Sequence, residues 1–442
     1  MSYEAKLEFV IILGMAFLTH KMTTIDMNTS TCVLDGFGPL ALVRPGSVPE
    51  LGDLIRAAAA SNRALYPIGG QTKISLGMPP TKPGQAVDLR DMAQIVDFPA
   101  RDMTVTVQSG ITIHALRESL ARENLRLPID VAQSHRATLG GILAANSSGP
   151  RRYGYGTLRD YVIGISALND NGIEFKAGGR VVKNVAGYDL CKLLVGSLGT
   201  LGIITQATLK LRPLPQQQAV IRLSCESAQV EAMLACLHES RTRPVSIDLM
   251  NQAEVRIVFP KANVDIPDGP WVLLVGYEGN TEAVIWQVQQ IVKEVGTQCR
   301  LEARVDFTAV PLWDALIELA ALSPARTVFK AHLLPSAVAW FCQGVDREPN
   351  RPALHAHAGN GIVYGHWPFD LTKERAASML NAWRDLARQA QGGVIVPCCP
   401  SDWKTAVNVW GPAPHGAWLM REVKAIFDPR RIFNPGRFVD GI

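Results

Sequence analysis

The chain has 442 residues, 47% hydrophobic and 19% charged, with 37 glycines. This balance excludes disordered, collagen-like and coiled-coil classes and gives material for two or three domains. Lys+Arg 44 against Asp+Glu 40 leaves a net charge of +4, without a run of five like charges, which argues against nucleic acid as the main partner. The eight cysteines, at 32, 191, 225, 236, 299, 342, 398 and 399, form no CxxC pair or other zinc-like spacing, so they read as reduced cytosolic thiols packed in a core.

The apolar stretch LEFVIILGMAFL at 7 to 18 is shorter than the roughly 20 residues a spanning helix needs. It fits a signal-like segment without an evident cleavage site, a short anchor, or an upstream artefact with translation starting at Met22 or Met27. Residues 1–37 are read as a tail. Beyond it, Ser47 and Glu50 form a capping-box pattern before a helix whose face carries Leu51, Leu54, Ile55 and Ala58. ALYPI follows as a strand running into the glycine turn of PIGGQT, at 67 to 72. TVTVQSG alternates as a strand, and ITIHALRESLAREN places Ile113, Leu116 and Leu120 on one helical face. GIITQATLKLRPLP is the strongest strand, with Ile203, Thr205, Ala207, Leu209 and Leu211 on one side. Pro213 and Pro215 end it, and the QQQ that follows predicts a hinge between domains.

In the second half, strands are predicted at AVIRLS and at WVLLVGYEG, 271 to 279, with helices near 227 to 240 and over TEAVIWQVQQIVKEVG. This order predicts an α+β sheet with helices on one face. MREVKAIFDPRRIFNPGRF reads as a helix followed by a tail containing Pro and Gly.

Glycine-dense turns recur beside strands between 67 and 202: PIGGQT, ATLGGILAANSSGP, GYGTLRD, KNVAGYD and GSLGTLG. Exposed amides in such turns can bind a pyrophosphate without a lysine. Any one of them alone could be a tight hairpin; five in one domain point to a phosphate-bearing cofactor. The Walker pattern is absent, because Lys73 in GGQTKISLG is out of frame. GSLGTLG precedes a strand and has the wrong spacing for the Rossmann fingerprint.

KNVAGYDLCKLLVGSLGTLGIITQATLKLRPLP resembles the KxxxGYDLxxLxxGSxGTLGIIT segment of flavoproteins that share the FAD-binding domain of vanillyl-alcohol oxidase and p-cresol methylhydroxylase. ATLGGILAANSSGPRRYGYGTLRDYVIG and PIGGQT resemble their other flavin-binding segments. Within that superfamily SGPRR, KNVAGYD and RIFNPGR look most like the E-type FAD-binding subunit of glycolate oxidase. The resemblance is strong over 38–215 and over the last dozen residues, and weak between.

The resemblance implies an α+β fold with a two-part FAD-binding domain at 38–215, an α+β cap or substrate domain at 216–420, and a segment at 421–442 returning to the FAD site. In the first loop Pro67, Gly69, Gly70, Gln71 and Thr72 would hold the pyrophosphate. Thr138, Leu139, Gly140, Gly141, Asn146, Ser148 and Gly149 would line the other side of the flavin. Gly156, Asp160 and Tyr188 would border the cleft, Gly202, Ile203 and Ile204 would follow the nucleotide, and Asn434 and Arg437 would return to the flavin ring. Ile68 departs from the arginine common in relatives. No His or Cys occupies the first loop, so FAD is expected to be non-covalent.

Oxidation of a 2-hydroxy acid needs a cation for the carboxylate, a base for the hydroxyl proton and a flavin as hydride acceptor. The resemblance places Arg326 and Lys330, with His332 beside them, in the first role; both are equally readable as solvated surface charges. HAHAGNGIVYGHW at 355 to 367 resembles the metal-holding HAGDGNLH segment of catalytic relatives in part. His357, Gly359 and Gly361 fit, but Tyr364 replaces the second histidine and PCC at 397 to 399 replaces a later Glu-His pair. No metal is therefore expected, although His355, His366, Cys398 or Cys399 could substitute from shifted positions, and His357 is kept as a proton acceptor. Three functional classes stay open: a subunit oxidising glycolate or D-lactate, a non-catalytic FAD-binding scaffold, and an NADPH-dependent FAD reductase. The implied partners are a catalytic flavoprotein and an iron-sulfur subunit, in a cytoplasmic complex that could lie peripherally on the inner membrane.

Overall fold

In the computed structural model, residues 30–179, 188–296, 299–322, 327–367 and 371–442 are described. Strand Thr31–Leu34 turns at Asp35 and Gly36, both at positive φ, into the antiparallel strand Phe37–Val43. A helix, Val48–Ala60, then crosses to Ala64–Ile68, which lies parallel to Gly84–Asp88. Leu51 and Ile55 of the helix pack on Leu65 and Val87, and Ile432 and Phe433 from the far end of the chain complete this core. The predicted cap is present with one change: Ser47 accepts from the Glu50 amide, but the Glu50 carboxylate accepts from Gly46 rather than from Ser47. The tail expected through residue 37 is also corrected, because Thr31–Leu34 already belongs to this sheet.

A second sheet is wholly antiparallel, in the order Ile95–Asp97, Thr104–Gln108, Ile203–Lys210, Val162–Leu168, Glu174–Gly178. One face packs on helices Ile113–Ala121 and Leu139–Ala145 through Leu116, Leu120, Ile142 and Leu143. Between these two sheets the glycine turns of PIGGQT, ATLGG and GSLGTLG line one cleft.

The third sheet has eight antiparallel strands, ordered Arg300–Val305, Gln217–Cys225, Trp271–Gly279, Ser246–Asn251, Ala353–His357, Ile362–Trp367, Thr327–His332, Gly393–Cys398. With helices Val230–Glu239, Thr281–Val295, Val338–Asp346 and Lys373–Gln389, it forms two consecutive strand-helix-strand-strand-helix-strand units. The units meet where Leu249 pairs with Ala356. The QQQ segment is not a hinge: Gln217 and Gln218 pair with Gly279 and Glu278 inside this sheet. Glutamine is polar enough to suggest a linker, but cross-strand pairing decides its backbone. Helix Ala417–Phe427 straddles residue 420, so the tail enters the first domain as one element with the helix before it.

Period-2 alternation divides the cap sheet. Ile247, Leu249, Leu354, Ala356, Phe329, Ala331, Val363 and Trp367 face the four helices. The residues between them point the other way, and that second face carries the chemistry described below. Among the described residues no helix is long and apolar enough to cross a membrane.

Candidate functional site

The cofactor half of the site is made of backbone. Strand Ala64–Ile68 ends in Gly69 and Gly70, and neither can be replaced without collision. A Cβ on Gly69 would lie 2.1 Å from Thr138 Oγ1, and one on Gly70 would lie 1.7 Å from the Arg136 carbonyl oxygen. Gln71 follows at φ 57°. The amides of Gly69, Gly70, Gln71 and Thr72 donate to no acceptor among the described residues, which leaves a nest of donors suited to an anion. Opposite them Thr138 caps the helix Leu139–Ala145, accepting from the Gly141 amide. Gly140 packs against Ser109, where a Cβ would stand 2.8 Å from the serine Cβ.

The resulting cleft opens to solvent at its loop end, where Lys73, Ile74 and Leu76 also line it. It continues between Leu198, Gly199, Gly202, Ile203 and Ile204 on one side and Ser109, Gly140 and Ala144 on the other. Asn434 and Arg437 close it from the tail. Thirteen of the predicted cofactor residues line it: Pro67, Gly69, Gly70, Gln71, Thr72, Thr138, Gly140, Gly141, Gly202, Ile203, Ile204, Asn434 and Arg437.

The remaining predicted cofactor residues are not among those lining the cleft. Leu139 is buried in the core beneath the helix. Asn146 ends that helix in the left-handed conformation. Asp160 accepts from the Thr157 amide at 2.8 Å and so caps the short helix after Gly156. Gly149 lies against Asp130, and Ser148 accepts from Arg152 at 3.5 Å. Tyr188 is 95% exposed and lines neither part of the cleft. The reason is local. This stretch fastens the cap, because Arg151 is gripped by Asp130 and reaches Glu278 of the cap sheet at 3.1 Å. Residues 183–187 of KNVAGYD and Arg326 lie outside the described residues.

Sequence reasoning missed Ser109, Leu198 and Gly199. Ser109 Oγ, on a residue that lines the cleft, is buried without a partner among the described residues, as are Asn146 Oδ1 and Ser197 Oγ. Buried polar atoms normally find partners, so these orphans, the amide nest and the apolar walls fit a dinucleotide carrying a flat ring system.

The cap half is made of side chains brought together by register. Asp248 pairs with His357, His355 with Tyr364, and Tyr364 with Lys330. All of them, with His332 and His366, therefore lie on the face turned away from the four helices. Asp248 Oδ1 accepts hydrogen bonds from His355 Nε2 at 3.0 Å and His357 Nδ1 at 2.7 Å. Burial opposes ionisation of Asp248, but the two imidazole hydrogen bonds and their charge outweigh it and bring its pKa to about 2. Burial lowers the pKa of His357, against the pull of Asp248. The His357 and Tyr364 rings meet edge to face at 5.5 Å, and Lys330 Nζ lies 5.6 Å from the Tyr364 ring centre.

His332 is exposed at the end of its strand, two residues from Lys330 on the same face. Desolvation first, and then the Lys330 and Arg152 charges, lower its pKa to about 4. Gly359 packs on the Tyr153 ring, where a Cβ would come within 2.5 Å, so the cap face meets the segment carrying Arg152. Neither Lys330 nor Arg152 has a carboxylate partner among the described residues.

Asp248, His355 and His357 place ligand-type atoms within 4.8 Å of one another. Their hydrogen-bonded separations are shorter than the roughly 3.3 Å edge of a tetrahedron of metal bonds. As it stands the cluster is a carboxylate orienting two imidazoles. His366 is held separately by buried Glu254, at 3.2 Å.

Two family models match the chain: the FAD binding domain over residues 39–178, and the C-terminal domain of FAD linked oxidases over 214–394 and 412–438. Glycolate oxidase subunit GlcD of Bacillus subtilis is 27% identical, over 90% of this chain and 88% of its own length. The GlcE subunit of Escherichia coli glycolate oxidase is 30% identical, over 59% of this chain and 70% of its own. D-lactate dehydrogenase of Archaeoglobus fulgidus is 26% identical, over 90% of this chain and 91% of its own. Among solved structures, p-cresol methylhydroxylase superposes with a TM-score of 0.69 at 15% identity, covering 92% of this chain and 91% of that one. Alkyldihydroxyacetonephosphate synthase does so at 0.64 and 19%, covering 90% and 77%.

Proposed function

From the premise that this chain belongs to the FAD-linked oxidase family, oxidoreductases that act on CH–OH donors with FAD held non-covalently, we propose that it oxidises a small 2-hydroxy acid such as glycolate or D-lactate. The observation that carries this reading is the pair of cations, Lys330 and Arg152, beside His332 on a cap face that also presents the Asp248–His357 pair. A 2-hydroxy acid brings a carboxylate for the cations and a hydroxyl for the imidazole.

When bound, FAD supplies the acceptor for the hydride leaving C2. Lys330 and Arg152 hold the carboxylate. Asp248 binds Nδ1 of His357 and leaves Nε2 to take the hydroxyl proton, the orienting role a carboxylate plays behind a catalytic histidine. Because burial lowers the His357 pKa, the neutral, proton-accepting form prevails at neutral pH. His332, its pKa lowered to about 4 by desolvation and then by the two cations, stays neutral and adds no competing charge.

We further propose that the chain works within a glycolate oxidase-like complex in the place of its E-type component, passing electrons to a flavoprotein or iron-sulfur partner. The likeness to both named subunits of glycolate oxidase supports this. Tyr364 in place of a second histidine favours a second reading, in which the chain binds FAD as a scaffold and a partner performs the chemistry.

Dye-coupled turnover of the purified chain decides between them. Glycolate and D-lactate should be oxidised, and glycolamide, which lacks the carboxylate, should not. Equal turnover of glycolamide would overturn the carboxylate argument, and turnover of NADPH alone would replace it with a reductase. The absence of any turnover would favour the scaffold.

A further inference from the structure

Two buried cations capture five consecutive carbonyls just beyond the pyrophosphate loop. Arg437, from the tail, donates through Nη2 to Ile74 O at 2.5 Å and Leu76 O at 2.9 Å, and through Nη1 to Met78 O at 2.8 Å. Lys404 Nζ, from the other side, donates to Ser75 O at 2.5 Å and Gly77 O at 2.7 Å. Both cations share one counter-ion. Asp35 Oδ2 accepts from Arg437 Nη1 at 3.0 Å and also from Lys404 Nζ. Asp35 Oδ1 accepts from Ser401 at 3.0 Å. Lys404 is fully buried and Arg437 is 6% exposed.

The backbone between Lys73 and Met78 is shaped by this arrangement. Gly77 sits at φ +89°, and a Cβ there would lie 2.3 Å from the Arg437 carbonyl oxygen. The Arg437 carbonyl in turn accepts from the Met78 amide and from Trp410 Nε1. Lys73, Ile74 and Leu76 of the captured segment line the cleft next to Gly69–Thr72, and so does Arg437. With two cations and one carboxylate, the cluster carries a net charge of +1 against the side of the cleft where the anion-binding amides lie. Lys73 lines the same side, and Arg136 donates to the Gly70 carbonyl at 3.2 Å, so the cluster adds to charge of its own sign there.

Asp35 precedes the FAD-domain match at 39–178, and Lys404 falls in the gap between 394 and 412 of the C-terminal match. Two of the three residues therefore lie outside what the family models describe.

We propose that Lys404 and Arg437 form a lock that holds the pyrophosphate loop in its FAD-binding shape and adds positive charge from the cap and the tail, with Asp35 as the counter-ion that offsets their mutual repulsion. They are positioning residues for the cofactor, acting through the carbonyls of 74–78. The lock joins three remote stretches of chain, so the loop takes its shape only when the cap and the tail are both in place.

The test is the FAD dissociation constant of the full chain freed of flavin, measured by flavin fluorescence, beside the melting temperature without FAD. Lys404→Gln removes the charge and most of the donors and should weaken FAD at least tenfold. Lys404→Arg keeps charge and donors and should stay within threefold of the parent. Asp35→Asn leaves both cations and still offers an acceptor, so FAD should bind at least as tightly as in the parent even if the melting temperature falls. A general packing role predicts the opposite for Asp35→Asn, namely weakening in step with lost stability. The proposal is overturned if folded Lys404→Gln binds FAD within threefold of the parent, or if Asp35→Asn loses tenfold. Should Lys404→Gln not fold, Asp35→Asn decides alone.

Discussion

The cofactor cleft and the cap face are built by different means. The cleft depends on what is missing: glycines without a Cβ and amides without a partner. The cap face depends on what is added, since Asp248, His357, Lys330 and Arg152 are ordinary side chains placed by sheet register and domain contact. Damage should therefore differ in kind. A change in the cleft should remove the cofactor outright, whereas a change on the cap face should leave flavin bound and slow its reduction.

The largest effect is expected at Gly70. Gly70→Ala drives a methyl into the Arg136 carbonyl, and the protein should purify without flavin, read from its absorbance spectrum. Next, Asp248→Asn removes the charge that orients His357, and turnover should fall by about 10² to 10⁴ with flavin content unchanged. Loss of flavin in that variant would erase the distinction between the two regions.

Arg152→Met should act mainly on substrate binding, raising KM by about tenfold with a smaller change in kcat, as expected for loss of one charge-assisted hydrogen bond. An unchanged KM would remove Arg152 from the carboxylate site. The smallest effect is the pH dependence. A base with a lowered pKa keeps its proton-accepting form further into acid, so the acid limb of kcat/KM should lie below the ordinary histidine value of about 6.5. Stability should show a related signature. Asp248 is held near pH 2, so its contribution is complete above about pH 4 and is lost as pH falls from there toward 2. Asp248→Asn should flatten that part of the acid unfolding profile.

The two regions also differ in how far the sequence reveals them. PIGGQT, ATLGG and GSLGTLGII are local patterns whose steric demand is met within a few residues, and thirteen of the residues read from them and from the tail line the cleft. The cap face depends on pairings such as His357 with Asp248, 109 residues apart. Nothing in SIDLMN marks Asp248 beyond an acid within an otherwise largely apolar strand. The second strand-helix unit of the cap, from Thr327 to Cys398, went unread in the sequence, and its fusion to the first rests on the long-range pairing of Leu249 with Ala356. Asp160 and Gly149 neighbour flavin-type motifs in sequence, but neither is among the residues lining the cleft, and their contacts are to Thr157 and Asp130. Lys404 carries no signal at all, since a lysine in the first turn of a short helix is ordinarily a solvated one.

The central claim, that this chain itself takes a hydride from a 2-hydroxy acid, is tested most directly by an anaerobic absorbance spectrum of the purified protein before and after glycolate and then D-lactate. The account predicts a flavin spectrum that bleaches with at least one of them. A flavin that stays oxidised with both would contradict it and move the chemistry to a partner protein.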